Sequence, residues 1–160
     1  MDIAYTENLI RNHEGCEYTV YKDTKGLLTI GIGFNLEAPG AQAICQNLGI
    51  DYAGICSGAV ALTDDQVNAI FGIQLNTAVQ QAQQIVTGFD ALPDPVQAVV
   101  VDMVFNMGAV GFSEFHQTIA ALNAQNYAAA ANDMQQSAWY GQVGDRAVQD
   151  VAIVNAAATG

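Results

Sequence analysis

The sequence has very few basic residues. Four lysines and arginines stand against 16 aspartates and glutamates, which gives a formal net charge of −12 over 160 residues. Nucleic-acid binding depends on clustered Lys and Arg that contact phosphates, so this composition argues against nucleic acid as a partner. The acidic excess favours solubility instead.

Cysteine is also scarce, with three residues in the whole chain. Cys16, Cys45 and Cys56 form no CxxC pair, and His13 and His116 are far apart in sequence, so no metal site is predicted. In an oxidising compartment Cys45 and Cys56 could close a small loop as a disulfide. The alternative is three buried thiols, and the sequence leaves both possibilities open.

A signal peptide and a long hydrophobic run are not visible in the sequence either. The N-terminal MDIAYTENLIRNHEG has no basic segment followed by an apolar run, so no signal peptide is visible. The longest apolar run, residues 96–105, is interrupted by Gln97 and Asp102 and is too short to span a bilayer. We therefore expect no membrane insertion.

The apolar share of the chain, 51%, indicates a folded domain with a real core. Helical spacing predicts a first helix over residues 6–14 that Gly15 ends. The following YTVYKD, TKG and LLTIGIGF segments are rich in β-branched and aromatic residues around a turn, which predicts a β-hairpin. The segment AQAICQNLG predicts a short helix that ends at Gly49.

The second half of the sequence predicts helices throughout. The segment TDDQ, from Thr63 to Gln66, is typical of a capping box and opens a helix of about six turns that closes before Gly88. Asp94 and Pro95 predict the next helix, with Asp94 as its cap, and its side chains are almost all apolar. Shorter helices are expected from about Ser113, Asn126, Ser137 and Asp145. The fold class is therefore α+β, predominantly helical.

The candidate catalytic residues are two carboxylates, Glu14 and Asp23, which lie nine residues apart, with Thr29 six residues further on. Either carboxylate alone has an ordinary structural interpretation, since Asp before Thr-Lys-Gly is typical of a turn. Together they suit glycoside hydrolysis, which needs one protonated carboxyl and one ionised carboxylate and no metal or organic cofactor. Thr29 could hold a water against Asp23, or it could be a strand former only.

Several segments resemble the phage-type lysozymes, the muramidases typified by the T-even bacteriophage enzymes. They are HEG, YKDTKG and TIGIGFNL near the N-terminus, then DMVFNMG, GFSEFHQTIAAL and SAWYGQVGDRA. The resemblance covers nearly the whole chain and is weakest over residues 37–62. It implies one two-lobed domain: a small lobe over 15–62 with the hairpin, a connecting helix over 63–86, and a larger helical lobe over 87–160 together with the helix 1–14, with a glycan cleft between the lobes.

The resemblance also implies an activity, hydrolysis of the β-1,4 bond between N-acetylmuramic acid and N-acetylglucosamine in bacterial peptidoglycan. Glu14 would be the general acid, and Asp23 and Thr29 would hold the attacking water, which gives inversion at the anomeric carbon. The implied substrate-binding residues are Phe34, Asn35, Phe105, Thr118 and Asp133. The implied supporting residues are Arg146, which would pair with Glu14, and Asn106 and Trp139.

The remaining expectations follow from this family. The protein would be bacteriolytic and monomeric, and it would act outside the cell or after release by host-cell lysis. Phe34 stands where the T-even enzymes have histidine, and Asp133 stands where they have asparagine. Those enzymes are also basic, so we expect the four basic residues to keep the cleft locally cationic. These residues are Arg11, Lys22, Lys25 and Arg146.

Two other functions remain alternatives. A lytic transglycosylase acts on the same substrate with one acid and no positioned water, and Asp23 and Thr29 argue against it. A non-enzymatic wall-binding module could use the same fold, because fold alone does not imply activity.

Overall fold

The computed structural model describes residues 1–159. The described residues form a small antiparallel sheet and a set of helices, which confirms the predicted α+β, predominantly helical class. In chain order the elements are α1 (Ile3–Glu14), β1 (Glu17–Lys22), β2 (Leu28–Gly31), β3 (Phe34–Asn35), α2 (Ala41–Asn47), α3 (Tyr52–Ser57), α4 (Asp64–Ile85), a 3₁₀ turn (Phe89–Ala91), α5 (Asp94–Ser113), α6 (His116–Asn123), α7 (Tyr127–Gln136), α8 (Ala138–Val143) and α9 (Asp145–Ala156).

The chain divides into two compact units. The smaller unit, here called the sheet unit, runs from Arg11 to Asn76 and contains the β-sheet with α2 and α3. The other, here called the helical unit, joins residues 1–10 to the residues from Thr77 onward. Each unit has its own buried apolar side chains. Those of the sheet unit include Ile30, Ile32, Leu36, Ile55, Leu62 and Phe71, and those of the helical unit include Val96, Val101, Met103, Phe112, Leu122 and Met134.

Helix α1 begins at Ile3, three residues before the predicted start. The backbone N–H of Tyr5 donates to Oδ1 of Asp2 at 3.0 Å, so Asp2 acts as a cap that the sequence analysis missed. The predicted end is confirmed, because Gly15 follows the helix with a φ of 70°, a left-handed conformation that favours glycine.

The sheet has three antiparallel strands in the order β1-β2-β3, where a two-stranded hairpin was predicted. The third strand exists because the chain turns back after Ile30. Gly31 and Gly33 both have a φ of 65°, which lets three residues connect Ile30 to its partner Phe34. Reading TIGIGF as one continuous strand was therefore wrong.

The segment after the sheet contains two helices. Helix α2 ends where predicted, with Gly49 at a φ of 67° just after it. Helix α3 was missed; its cap is Asp51, whose Oδ1 accepts from the N–H of Gly54 at 3.0 Å.

All three cysteines are free thiols, so the Cys45–Cys56 disulfide is not present in this structure. The alternative of three buried thiols holds only for Cys45, since Cys56 is half-buried and Cys16 is exposed. Burial is the main cause that raises the pKa of the Cys45 thiol, and the nearby Cys56 adds to it.

The long helix α4 confirms the predicted capping box. The N–H of Gln66 donates to Oγ1 of Thr63 at 3.2 Å, and the N–H of Thr63 donates to Oε1 of Gln66 at 3.0 Å. Two backbone donors at the helix start are therefore satisfied reciprocally.

Helix α5 departs from the prediction at both ends. Asp94 is not its cap but its first residue, and its carboxylate lies 3.1 Å from the amine of Met1. The helix continues to Ser113 across a break at Gly108, where φ is 76° and ψ is 165°, so no new helix begins at Ser113. The next one begins at His116.

The later helix starts agree better with the sequence. Asn126 caps α7 by accepting from the N–H of Ala129 at 3.1 Å, and Ser137 caps α8 by accepting from the N–H of Tyr140 at 3.3 Å. Helix α9 begins at Asp145 as predicted.

Most side chains of α5 between Val96 and Val104 are buried in the helical unit. At 20 residues α5 is longer than the apolar run from which it was predicted, and by length and composition alone it could cross a membrane. More than half of its most apolar window, 56%, is buried inside the protein, and the core helix of a soluble protein passes the same test. The absence of membrane insertion therefore stays a prediction.

Truncation of Met103 should destabilise the protein strongly. Its side chain is 1% exposed, so Met103→Ala should leave a cavity and lower the free energy of unfolding by about 2 to 5 kcal/mol. Val110 on the same helix is 81% exposed, so Val110→Ala should change it by less than about 0.5 kcal/mol. Urea unfolding followed by circular dichroism measures both, and equal losses would contradict a core centred on α5.

Candidate active site

Glu14 is the last residue of α1, and its half-buried side chain lies against the turn between β2 and β3. A Cβ built on Gly33 would lie 2.7 Å from Oε2 of Glu14, closer than real contacts of this kind. Glycine at position 33 thus meets two requirements: the left-handed backbone and the space that the Glu14 carboxyl fills.

Asp23 lies at the end of β1 and organises the β1–β2 turn. Its Oδ1 accepts from the N–H of Lys25 at 2.8 Å and from the N–H of Leu27 at 2.9 Å. Asp23 therefore stabilises the turn, as the structural interpretation of the sequence predicted. Both of these bonds use Oδ1, so the turn does not require Oδ2.

The register of the sheet places the predicted residues on one face. Tyr21 of β1 is the direct partner of Thr29 of β2, and Thr29 is the direct partner of Asn35 of β3. Side chains of directly opposed residues point to the same face of a sheet, and residues two apart in a strand do so as well. Tyr21, Thr29 and Asn35 therefore form one row, here called the Tyr21 row, and Asp23 follows two residues after Tyr21.

Thr29 is 3% exposed, and its hydroxyl donates to the carbonyl oxygen of Leu27 at 3.1 Å. With the proton used in this way, Oγ1 keeps lone pairs with which it can accept a hydrogen bond. In the structure Thr29 is both a strand residue and a potential acceptor on the Tyr21 row.

The sequence analysis did not select Tyr21. Burial is the largest cause that raises the pKa of its hydroxyl, followed by the negative charges of Glu14, Glu17 and Asp23. Charge interactions weaken with distance, so both predicted catalytic carboxylates lie within electrostatic range of this hydroxyl. The two-residue spacing in YKD was a usable signal, because it keeps Tyr21, near the end of β1, close along the chain to Asp23, which directly follows that strand.

The predicted substrate-binding pair Phe34 and Asn35 points to opposite faces. Phe34 is 5% exposed and is the partner of the fully buried Ile30, so it packs in the core of the sheet unit. Asn35 is half-buried in the Tyr21 row, and its Oδ1 accepts from the N–H of Glu37 at 2.8 Å. A substrate contact by either residue stays a prediction, and the burial of Phe34 favours a packing role for it.

The other predicted residues belong to the helical unit. Oγ1 of the fully buried Thr118 donates to Oδ2 of Asp133 at 2.6 Å, so Thr118 fixes the Asp133 carboxylate. Nε1 of Trp139 donates to Oδ1 of Asn106 at 3.1 Å, which agrees with supporting roles for both. Phe105 is half-buried in α5.

A pocket of about 620 Å³ opens in the same unit beside Asp133 and Trp139. Its other lining residues include Phe115, whose ring meets that of Trp139 edge-on at 6.1 Å, and Glu114 and His116. The sequence analysis selected Asp133 and Trp139 but missed the aromatic and acidic neighbours, because their convergence depends on how the helices pack.

Arg146 forms a two-pronged ion pair with the fully buried Asp102. Nε donates to Oδ2 and Nη2 donates to Oδ1, both at 2.8 Å, and Nη2 also donates to the Asp102 carbonyl oxygen at 3.1 Å. This geometry fixes the guanidinium against α5. The predicted pairing of Arg146 with Glu14 stays a prediction.

A second carboxyl, Asp150, is fully buried beside this ion pair, and neither of its oxygens has a hydrogen bond that satisfies strict geometry. Burial is the first cause that raises its pKa from 3.8 to about 9, and the adjacent Asp102 raises it further, while Arg146 acts in the opposite direction. Asp150 is therefore protonated at neutral pH.

These contacts limit the expected cationic surface. The charge of Arg146 is matched by Asp102, and the Arg11 guanidinium lies 4.4 Å from the centre of the Phe71 ring and donates to Oδ1 of Asn68 at 3.1 Å. Lys22 and Lys25 are exposed at the β1–β2 turn, so the hypothesis of a cationic site rests mainly on them.

Comparison with known proteins gives consistent matches. The family model described as Phage lysozyme matches residues 11–153, which include Glu14, Asp23 and Thr29. The probable T4-type lysozyme 1 of Dictyostelium discoideum is 22% identical over an alignment of 160 residues, which covers 95% of this chain and 94% of that protein. The probable T4-type lysozyme 2 of the same organism is 22% identical over 159 residues, with 94% of each chain covered.

Asp150 should make stability depend on pH. Between pH 3.8 and about 9 the folded protein keeps a proton that the unfolded chain loses. The contribution of Asp150 is therefore fully present below pH 3.8 and declines as pH rises towards about 9, by at most about 1.4 kcal/mol per pH unit for one proton. The Asn side chain of Asp150→Asn cannot titrate, so the variant should lose this part of the dependence of the free energy of unfolding on pH.

Urea unfolding at a series of pH values measures this slope, the change in the free energy of unfolding per pH unit. Asp145→Asn, an exposed position at the start of the same helix, is the matched control and should keep the slope of the wild type. An unchanged slope in Asp150→Asn would contradict a proton held at Asp150.

Proposed function

The chain belongs to the phage lysozyme family, and on this premise we propose that it is a muramidase that hydrolyses the β-1,4 bond between N-acetylmuramic acid and N-acetylglucosamine. The observation that supports the proposal is that Thr29 is the direct strand partner of Tyr21, whose hydroxyl feels the charges of both carboxylates, Glu14 and Asp23. This arrangement supplies the groups that glycoside hydrolysis requires.

Asp23 and Thr29 have complementary roles towards the attacking water. The turn uses Oδ1 of Asp23, so Oδ2 can accept one proton of a water, and Oγ1 of Thr29 can accept its other proton because the Thr29 hydroxyl already donates to Leu27. A water that donates both protons in this way directs a lone pair away from the two acceptors, towards an anomeric carbon.

Glu14 is the proposed general acid. Its protonated carboxyl gives a proton to the leaving glycosidic oxygen as the bond breaks, while Asp23 takes a proton from the attacking water. Attack from the face opposite the leaving group inverts the anomeric carbon. Gly33 supports this role because it leaves the room in which the Glu14 carboxyl lies.

We further propose a biological setting that agrees with this chemistry. The protein would degrade bacterial cell walls as a monomer, outside the cell or after host-cell lysis, as an endolysin or another bacteriolytic agent does. The substrate is the glycan itself, and the two carboxylates with water suffice for the reaction without a cofactor.

Replacement of either carboxylate should abolish lysis without unfolding the protein. Glu14→Gln and Asp23→Asn should each lower the rate of wall clearing by about 100-fold or more, because each removes a proton-transfer group. Asp23→Asn is preferable to Asp23→Ala, since the amide oxygen can still accept the two turn hydrogen bonds. Turbidity of a bacterial wall suspension measures the rate, and circular dichroism checks the fold.

The products separate the three candidate functions. Proton NMR at the start of digestion should show the inverted anomer from the wild type. Anhydro ends would indicate a lytic transglycosylase, and binding of walls without any new reducing ends in wild type and variants alike would indicate a binding module.

Gly33→Ala tests the packing of Glu14. The new methyl group would collide with the carboxyl, so the rate of wall clearing should fall by about tenfold or more. Gly40→Ala is the matched control, because its φ of 87° imposes similar backbone strain while a Cβ there meets nothing within 4 Å. Both should lose about 1 kcal/mol of stability, and equal rates in the two variants would contradict a role for this contact.

A further inference from the structure

Tyr21 differs from the other tyrosines of the sheet unit in how its hydroxyl is bonded. The Tyr18 hydroxyl donates to Oδ1 of Asp64 at 2.6 Å, and the Tyr52 hydroxyl donates to the carbonyl oxygen of Leu36 at 2.7 Å. The Tyr21 hydroxyl makes no hydrogen bond to any residue that the structure describes, although its ring is half-buried. A phenol that is partly buried usually has a partner, so this one is free to bond a ligand.

The location of Tyr21 points to the nature of that ligand. Its direct partner is Thr29, Asp23 is two residues further along the same face, and the charge of Glu14 acts on its hydroxyl. A sugar that binds beside Thr29 would therefore have Tyr21 as a neighbour on the same face of the sheet.

We propose that Tyr21 is a further substrate-binding residue, whose hydroxyl donates a hydrogen bond to an oxygen of the sugar at the cleaved bond. This inference rests on the proposed function, since it names an additional contact in the same site. The ring offers an apolar surface to the CH groups of the sugar, and the hydroxyl offers a donor within electrostatic range of Glu14 and Asp23.

The surroundings favour a donor over an acceptor. Burial and the charges of Glu14, Glu17 and Asp23 raise the pKa of the Tyr21 hydroxyl above 10.0, so it keeps its proton throughout the pH range in which a glycosidase works. Apart from the Asn35 amide and the proton that Glu14 gives to the leaving oxygen, the site presents carboxylate and hydroxyl oxygens that accept hydrogen bonds, and the other oxygens of the sugar require a donor. Tyr21 supplies that donor.

The test removes only the hydroxyl. Tyr21→Phe keeps the ring, so the protein should fold as before, while kcat/KM on soluble peptidoglycan glycan strands should fall by about tenfold, the usual effect of one lost hydrogen bond. Tyr18→Phe, the same change on the same strand, is the matched control and should leave kcat/KM within about twofold, because Tyr18 bonds to Asp64.

A binding measurement separates the contact from the chemistry. In the inactive Glu14→Gln background, calorimetric titration with a soluble peptidoglycan tetrasaccharide should show about tenfold weaker affinity when Tyr21→Phe is added, and no change when Tyr18→Phe is added. Unchanged affinity and unchanged kcat/KM in Tyr21→Phe would overturn the proposal. A fall in kcat/KM with unchanged affinity would also overturn it, because Tyr21 would then act through Glu14.

Failure of this inference is distinguishable from failure of the proposed function. If the wild type releases reducing ends of the inverted anomer and Glu14→Gln does not, the muramidase proposal stands whatever Tyr21→Phe does. If the wild type does not cleave, the proposed function fails first, and titration of the wild type and of Tyr21→Phe with the tetrasaccharide then decides whether Tyr21 contacts a sugar at all.

Discussion

The register of the small sheet is the constraint on which the candidate site depends. Alternate residues of a strand point to opposite faces. A shift of the strand pairing by one residue would therefore put the neighbours of Thr29 and Asn35 where these two side chains now lie. The pairing of Ile30 with Phe34 fixes that register, because both side chains are buried in the core of the sheet unit. Burial on one face thus determines which polar groups appear on the other.

Two residues of this site combine structural and chemical requirements. Asp23 holds the β1–β2 turn through Oδ1, and its second oxygen is not needed there. Gly33 permits the left-handed turn into β3 and leaves space for the Glu14 carboxyl. The structural and the functional interpretations of Asp23 and Gly33 are therefore compatible, because each uses a different atom or a different property of the same residue.

The helical unit shows how the acidic excess is accommodated inside the protein. Asp102 is fully buried and pairs with the Arg146 guanidinium, whereas burial and the adjacent Asp102 raise the pKa of its neighbour Asp150 to about 9. The helical unit thus buries one carboxyl group against an arginine and a second as a neutral acid. Its commitment to Asp102 also means that Arg146 adds little positive charge to the surface.

The sequence by itself determined the features that depend on a few neighbouring residues. The capping box of Thr63 and Gln66, the caps Asn126 and Ser137, the glycine after α1, and the spacing of Glu14, Asp23 and Thr29 within recognisable family motifs were all available from local pattern. These signals are reliable because their hydrogen bonds span three or four residues, so no distant part of the chain has to be known.

Only the tertiary structure decided what depends on contacts between distant residues. It added β3, placed Phe34 in the core, paired Tyr21 with Thr29, and buried Asp150 next to Asp102 and Arg146. It also showed that Asp94 pairs with the N-terminal amine where a cap was predicted. The physical reason is that burial, cross-strand register and the pKa of a buried acid are set by whichever groups pack nearby, and the order of residues along the chain does not specify those groups.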